Sequence, residues 1–110
     1  MDTAVRNSLM NMLDNSIRIF QDIRGVDADE LMSANRKADV AIIRYMIWLQ
    51  MISHCHCTTS EIGELFNRHH ATVLYGIKKM RDIIRQPQGW KEEHQLYYTY
   101  DNKLWRNEQE

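Results

Sequence analysis

The stretch FNRHHATVLYG, residues 66–76, governs the interpretation of the whole chain. It puts two adjacent histidines, His69 and His70, after an arginine and before small and β-branched residues. Such a pair can ligate a metal, move protons in an active site, or begin a helix that contacts DNA. The choice depends on the kind of helix that begins there, which the flanking residues predict.

The flanking residues predict two helices joined by a tight turn. Thr58 and Glu61 have the spacing of a capping box at the start of TTSEIGELF. NRH forms the turn, and His70–Arg85 forms a longer basic helix whose buried face consists of Val73, Ile77, Met80 and Ile84. A short helix, a tight turn and a longer basic helix are the pattern of a helix-turn-helix, whose second helix enters the DNA major groove.

The other segments also predict helices, and no segment reads as a strand. An amphipathic helix capped by Thr3 ends at Gly25, and Asp27 caps a short helical turn. A third helix, about Ala38–Ser53, is apolar on most sides and is expected at the centre of the domain. An aromatic-rich helix over Trp90–Trp105 is expected to pack back on the bundle.

These segments predict an all-α bundle of five to six helices that contains a helix-turn-helix. A chain of 110 residues is expected to form one domain. Its parts are an N-terminal helix with a short helical turn, the long helix with the helix-turn-helix, and a C-terminal helix, at residues 1–32, 33–85 and 86–110.

The charges are unevenly distributed although the net charge is only −1. Residues 1–32 hold three Arg against six Asp and Glu, and residues 86–110 hold three Lys and Arg against five Asp and Glu. Residues 33–85 hold eight Lys and Arg against four Asp and Glu. A basic middle between acidic ends presents a local positive face, which suits DNA.

Other sequence features predict a cytoplasmic protein with no membrane contact. The N-terminus lacks the basic-then-apolar plan of a signal peptide, and no apolar run is long enough to span a bilayer. Cys55 and Cys57 are only two residues apart, so that free thiols are expected rather than a strained disulfide.

Two separated stretches resemble a known family. SANRKADVAIIRYM at residues 33–46 and TSEIGELFNRHHATVLYGIKKM at residues 59–80 resemble the C-terminal DNA-binding domain of the bacterial replication initiator DnaA. The resemblance runs from about Ile17 to the C-terminal helix. It implies a DnaA C-terminal domain-like, Trp-repressor-like fold that binds double-stranded DNA with sequence preference.

The resemblance also implies roles for individual residues. Arg36 matches a loop arginine that enters the minor groove, and Arg44 matches a long-helix arginine that contacts the major groove. His70 and Thr72 match positions that read base edges. The predicted interface also includes Thr58 and Thr59, one of which matches a family position for a hydroxyl near phosphate. Arg68, His69 and Ala71 lie around the start of the recognition helix. Lys37, Lys78 and Lys79 are lysines suited to phosphate.

The sequence departs from the family at two of these positions and at the residue after Arg44. The family commonly has aspartate where His69 stands, and histidine is expected to be a poorer N-cap. Ala71 replaces a common threonine, although its methyl group can still contact a thymine methyl. Tyr45 stands where a polar amide side chain is common.

The chain has no GxxxxGK[ST] phosphate loop, and its four glycines are scattered singly. We therefore expect a free-standing DNA-binding domain without nucleotide, cofactor or enzymatic activity, in replication or transcription regulation. A phage or mobile-element origin, a homodimer and a protein partner all stay open.

Two alternatives have other chemistry. The first is a protein-interaction regulator that keeps the fold but has lost strong DNA binding, which the net charge, His69 and Ala71 favour. The second is a zinc-dependent regulator that uses HCHC at residues 54–57. Because four consecutive residues cannot surround a tetrahedral ion without backbone strain, we prefer a helix end and loop there.

Overall fold

A computed structural model describes residues 1–34 and 37–106, and this part of the chain contains six α-helices and no strand. The prediction of an all-α fold with five to six helices is thus confirmed. The helices are α1 (Thr3–Arg24), α2 (Ala28–Met32), α3 (Ala38–His54), α4 (Thr59–Phe66), α5 (His70–Arg85) and α6 (Lys91–Arg106). No helix in the described ranges is both long and apolar enough to cross a bilayer.

Helix α3 lies at the centre of the bundle, as its apolar sequence predicts. It contacts α1, α2, α4 and α5. Its side chains Met46, Ile47 and Met51 are fully buried, and α5 adds Val73, Ile77 and Met80 to the same core. Ile83 rather than Ile84 completes the fully buried face of α5, since Ile84 is half-buried.

The first helix begins after an aspartate and ends at a glycine. Asp2 rather than Thr3 is the N-cap, because its side chain accepts a hydrogen bond from the Ala4 amide at 3.0 Å. Gly25 ends the helix with a φ of 65°, a conformation that glycine adopts without a steric cost. The chain then turns into α2, where Asp27 accepts from the Glu30 amide at 2.8 Å as predicted.

Helix α6 packs against α1 and α3 through buried aromatic rings with polar tips. The Tyr100 hydroxyl lies 2.7 Å from Ser16 Oγ, and the Tyr100 ring lies 4.6 Å from the Phe20 ring. Gln50 of α3 donates to the Tyr97 hydroxyl at 3.0 Å. The aromatic cluster is therefore largely core, while Tyr98 stays exposed.

Candidate DNA interface

The turn between α4 and α5 has a backbone geometry that depends on Gly63. Asn67 ends α4 in the left-handed conformation with a φ of 54°, and the Arg68 amide donates to the Gly63 carbonyl at 2.8 Å. A Cβ atom at Gly63 would clash with the Arg68 carbonyl oxygen. The glycine thus allows the close approach that sets the start of α5 beside α4.

Of the two threonines at the start of α4, Thr58 is the N-cap of the helix. Thr58 Oγ1 accepts from the Glu61 amide at 3.1 Å, and the Glu61 carboxylate accepts from the Thr58 amide at 2.9 Å. This confirms the predicted capping box. Thr58 is exposed and Thr59 is half-buried, and their phosphate contacts stay predictions.

His69 caps the recognition helix through its ring. Its Nδ1 atom accepts a hydrogen bond from the Ala71 amide at 3.1 Å. The His69 and His70 rings lie 4.4 Å apart, centroid to centroid, with 31° between their planes. The histidine that replaces the family's aspartate therefore still satisfies one of the open amides at this helix end.

The first turn of α5 presents its side chains to solvent. His70, Ala71 and Thr72 are all exposed, directly after the turn. This is the part of a recognition helix that meets base edges in a helix-turn-helix. The structure thus brings the three predicted first-turn residues together on one open surface.

The predicted phosphate-binding lysines differ in their surroundings. Lys78 is exposed, and Lys37 is exposed at the N-cap of α3. Lys79 is half-buried, with Nζ lying 4.4 Å from the centroid of the Trp90 ring in a cation–π contact. Arg36, predicted for the minor groove, lies outside the described residues.

Arg44 is buried, with 4% of its surface exposed. Its Nε atom donates to the Leu31 carbonyl at 2.7 Å, and its Nη2 atom donates to the carbonyls of Glu30 and Ser33 at 3.1 and 3.0 Å. Burial, with a smaller contribution from the charge of Arg68, lowers the pKa of Arg44. Its guanidinium thus engages the backbone at the end of α2, and its base contact stays a prediction.

Arg68 approaches the same backbone segment from the turn. Its Nη2 atom also donates to the Ser33 carbonyl, and its Nη1 atom donates to the Phe66 carbonyl at 3.2 Å. Two guanidinium groups therefore share one carbonyl oxygen, which ties the end of α2 to both α3 and the start of the recognition helix.

A cleft of about 490 Å³ opens between α3 and the start of α5. It brings together cationic, hydroxyl and aromatic side chains, and its lining consists of Ala34, Ala41, Arg44, Tyr45, Trp48, Asn67, Arg68 and Thr72. A cationic concave surface beside an exposed helix start suits a polyanion.

One exposed residue of α5 had no role predicted from the sequence. Tyr75 is 59% exposed and lies on α5 one helical turn after Ala71. Its ring meets Tyr45 edge-on, with centroids 6.1 Å apart and an interplanar angle of 81°. Burial raises the pKa of the Tyr45 phenol. The sequence feature that could have indicated a role for Tyr75 is its four-residue spacing from Ala71, which places both side chains on one face of the helix.

The HCHC segment has its side chains in separate environments. The His54 ring packs against Trp105 at 4.6 Å, Cys55 is buried, and burial raises the pKa of the Cys57 thiol to about 11. Within residues 1–34 and 37–106, no group of three or more His, Cys, Asp or Glu side chains is arranged to hold a metal ion.

Comparison with known proteins identifies the family of this chain. Residues 16–80 match the model of the bacterial DnaA protein helix-turn-helix. The chain belongs to this DnaA family. The match includes α2, α3 and α4, the C-terminal part of α1 from residue 16 on, and most of α5, whereas α6 lies beyond it. A DnaA helix-turn-helix domain suggests DNA binding for this fold.

Individual relatives are full-length initiators. The chain is 27% identical over 75 residues to the chromosomal replication initiator protein DnaA of Leptospira biflexa, covering 68% of this chain and 16% of that protein. The DnaA proteins of Thermotoga petrophila and Thermus thermophilus are 30% and 34% identical over 79 and 77 residues, covering 72% and 66% of this chain and 18% of each relative. The chain thus spans less than a fifth of these relatives' length. No solved structure matches it significantly.

Proposed function

We propose that this protein binds double-stranded DNA with sequence preference through the first turn of α5, and that it regulates replication or transcription. The observation that carries the proposal is the exposed turn of His70, Ala71 and Thr72 next to a cleft lined by Arg44 and Arg68. Membership of the DnaA helix-turn-helix family supports the same conclusion over a protein-interaction role.

The first-turn residues have side chains suited to reading bases. His70 and Thr72 offer a ring nitrogen and a hydroxyl for hydrogen bonds to base edges in the major groove. Ala71 offers a methyl group for a thymine methyl. Arg36 in the minor groove, and Arg44 at the lining of the cleft, complete the proposed sequence preference.

A second set of groups contacts phosphates, which its charged members neutralise, and sets the position of the domain on the duplex. The open amides at the start of α5 and the basic side chains of α3, the turn and α5 are suited to phosphate. This set consists of Lys37, Thr58, Thr59, Arg68, His69, Lys78 and Lys79. Because such contacts release counterions, binding should weaken steeply with salt.

Two double variants test whether the first turn of α5 is the reading surface. His70→Ala with Thr72→Val removes the proposed hydrogen-bonding groups, and His94→Ala with Thr99→Val makes the same chemical change on α6. We expect the first variant to weaken binding of a fluorescent duplex carrying the DnaA-family box by about tenfold or more, measured by anisotropy. The α6 variant should bind like the unmodified protein. Equal affinities of the two variants would contradict the proposal.

A further inference from the structure

Helix α5 exposes two large apolar side chains that the core does not use. Leu74 is 39% exposed and Tyr75 is 59% exposed. The other large exposed apolar residues in the described ranges lie on α6 or near the N-terminus: Met1, Met10 and Tyr98. An apolar surface on the helix proposed to enter the groove calls for an apolar group on the DNA.

Tyr75 lies on the outward face of α5, with Ala71 one turn before it. Val73, Gly76 and Ile77 are buried, so the helix directs residues 71 and 75 away from the core. Long side chains on a helix lean toward its N-terminus and cover the preceding turn. The Tyr75 ring therefore leans toward Ala71 and toward the end of the helix that meets base edges.

A second ring fixes the position of the Tyr75 ring. Tyr45 of α3 meets it edge-on, and Tyr45 itself lies against the Cα of Gly76. A Cβ atom at Gly76 would clash with the Tyr45 ring and would lie 2.9 Å from Trp48 Cε3. Gly76 thus allows Tyr45 to approach α5, where it contacts the Tyr75 ring. A pre-positioned ring loses less conformational entropy on binding.

The apolar group that the major groove offers is the 5-methyl group of thymine. We infer that Tyr75, together with Ala71, contacts thymine methyl groups and is a specificity-determining residue of this interface. The inference rests on the proposed DNA binding. His70, Thr72 and Lys78 of the same helix are also exposed, and these polar and cationic side chains favour DNA over an apolar protein partner.

The test compares duplexes that differ only in these methyl groups. The DnaA-family box and a random duplex of equal length are each made with thymine or with deoxyuridine, and anisotropy gives the ratio of the two affinities. For the unmodified protein we expect the box to bind about fourfold more weakly for each contacted methyl that is removed.

Variants of Tyr75 test whether its ring is the source of the affinity difference between thymine and deoxyuridine duplexes. Tyr75→Ala should lose most of the preference for thymine, whereas Tyr75→Phe should keep it because the ring and not the hydroxyl makes the contact. Tyr98→Ala removes an exposed tyrosine of α6 and should keep the preference for thymine as well. Far-ultraviolet circular dichroism checks that each variant is folded.

The possible outcomes separate the inference from the proposed function. Duplex binding with the same thymine preference in Tyr75→Ala and in the unmodified protein overturns the inference and leaves DNA binding intact. Loss of the preference in Tyr75→Phe overturns the methyl contact in favour of a hydroxyl contact. Absence of binding to every duplex overturns both, and the patch would then face a protein partner.

Discussion

In the helix-turn-helix, most polar contacts that set the geometry join residues close in sequence, whereas α6 is held by contacts between distant residues. Thr58 bonds Glu61, and His69 bonds the Ala71 amide. By contrast, the Ser16–Tyr100 bond spans 84 residues and the Gln50–Trp105 bond spans 55. The family match also stops before α6. The caps of α4 and α5 are thus set by local contacts, whereas α6 is attached from outside the matched region by contacts between distant residues.

Arg44 of α3 and Arg68 of the turn are the exceptions, because they bond carbonyls 11 to 14 and 35 residues away. We expect Arg44→Ala to lower the free energy of unfolding by about 3 kcal/mol, since one buried and two partly buried hydrogen bonds from a charged donor to backbone carbonyls are lost. Urea denaturation measures this effect, with Arg6→Ala, an exposed arginine of α1, as the control. Unchanged stability with weaker DNA binding would mean that Arg44 acts only as a base contact.

Gln50 tests whether α6 and the reading surface are energetically separate. Gln50→Leu removes the partner of the Tyr97 hydroxyl and of Trp105 Nε1. We expect a loss of about 2 kcal/mol in the free energy of unfolding, because these groups are left without that partner in a mostly buried site. DNA affinity below the melting temperature should stay the same. A parallel loss of affinity would show that α6 shapes the interface; Gln95→Leu on the surface of α6 is the control.

Alkaline pH tests the contribution of Tyr97 on α6 by removing its phenolic proton while the side chain stays in place. Burial, followed by the nearby Asp101 carboxylate, raises the pKa of Tyr97 to about 12 from 10.0. The unfolded chain therefore releases this proton first, so the stabilisation is complete below about pH 10 and is lost as pH rises toward 12. We expect a loss of about 1 kcal/mol by pH 11 from this group. Urea denaturation at pH 8 and pH 11 should show a smaller loss for Tyr97→Phe; an equal loss would rule this residue out as a source.

The smallest expected effect is at the cap of the recognition helix. His69→Asp restores the residue that the family commonly has and places a negative charge at the positive end of α5. We expect the free energy of unfolding to rise by about 0.5 kcal/mol and exchange of the Ala71 amide to slow. Thermal denaturation and hydrogen exchange measure the two changes, and a lower melting temperature would show that the histidine ring is the better cap here.

The sequence predicted the parts of the molecule that depend on neighbouring residues. The capping box at Thr58, the turn, and the bounds of α5 at His70 and Arg85 all follow from local signals, and the structure confirms them. The expectation that Thr3 caps α1 is wrong for a local reason as well, because Asp2 offers an equally suitable oxygen one residue earlier.

What the sequence could not predict depends on tertiary contacts. Arg44 was expected to face DNA, and only the fold shows that the end of α2 lies within reach of its guanidinium. The Tyr45–Tyr75 contact likewise needs α3 and α5 to be placed side by side over Gly76. Periodicity reports which face of a helix is buried, but it does not report which side chains meet across two helices.

The most direct test of DNA reading by α5 is anisotropy of the unmodified protein with the DnaA-family box and a random duplex across a salt series. The account predicts binding that falls steeply between about 50 and 200 mM salt, because several phosphates are neutralised, with the box bound more tightly at every salt concentration. No binding to either duplex at the lowest salt would contradict it.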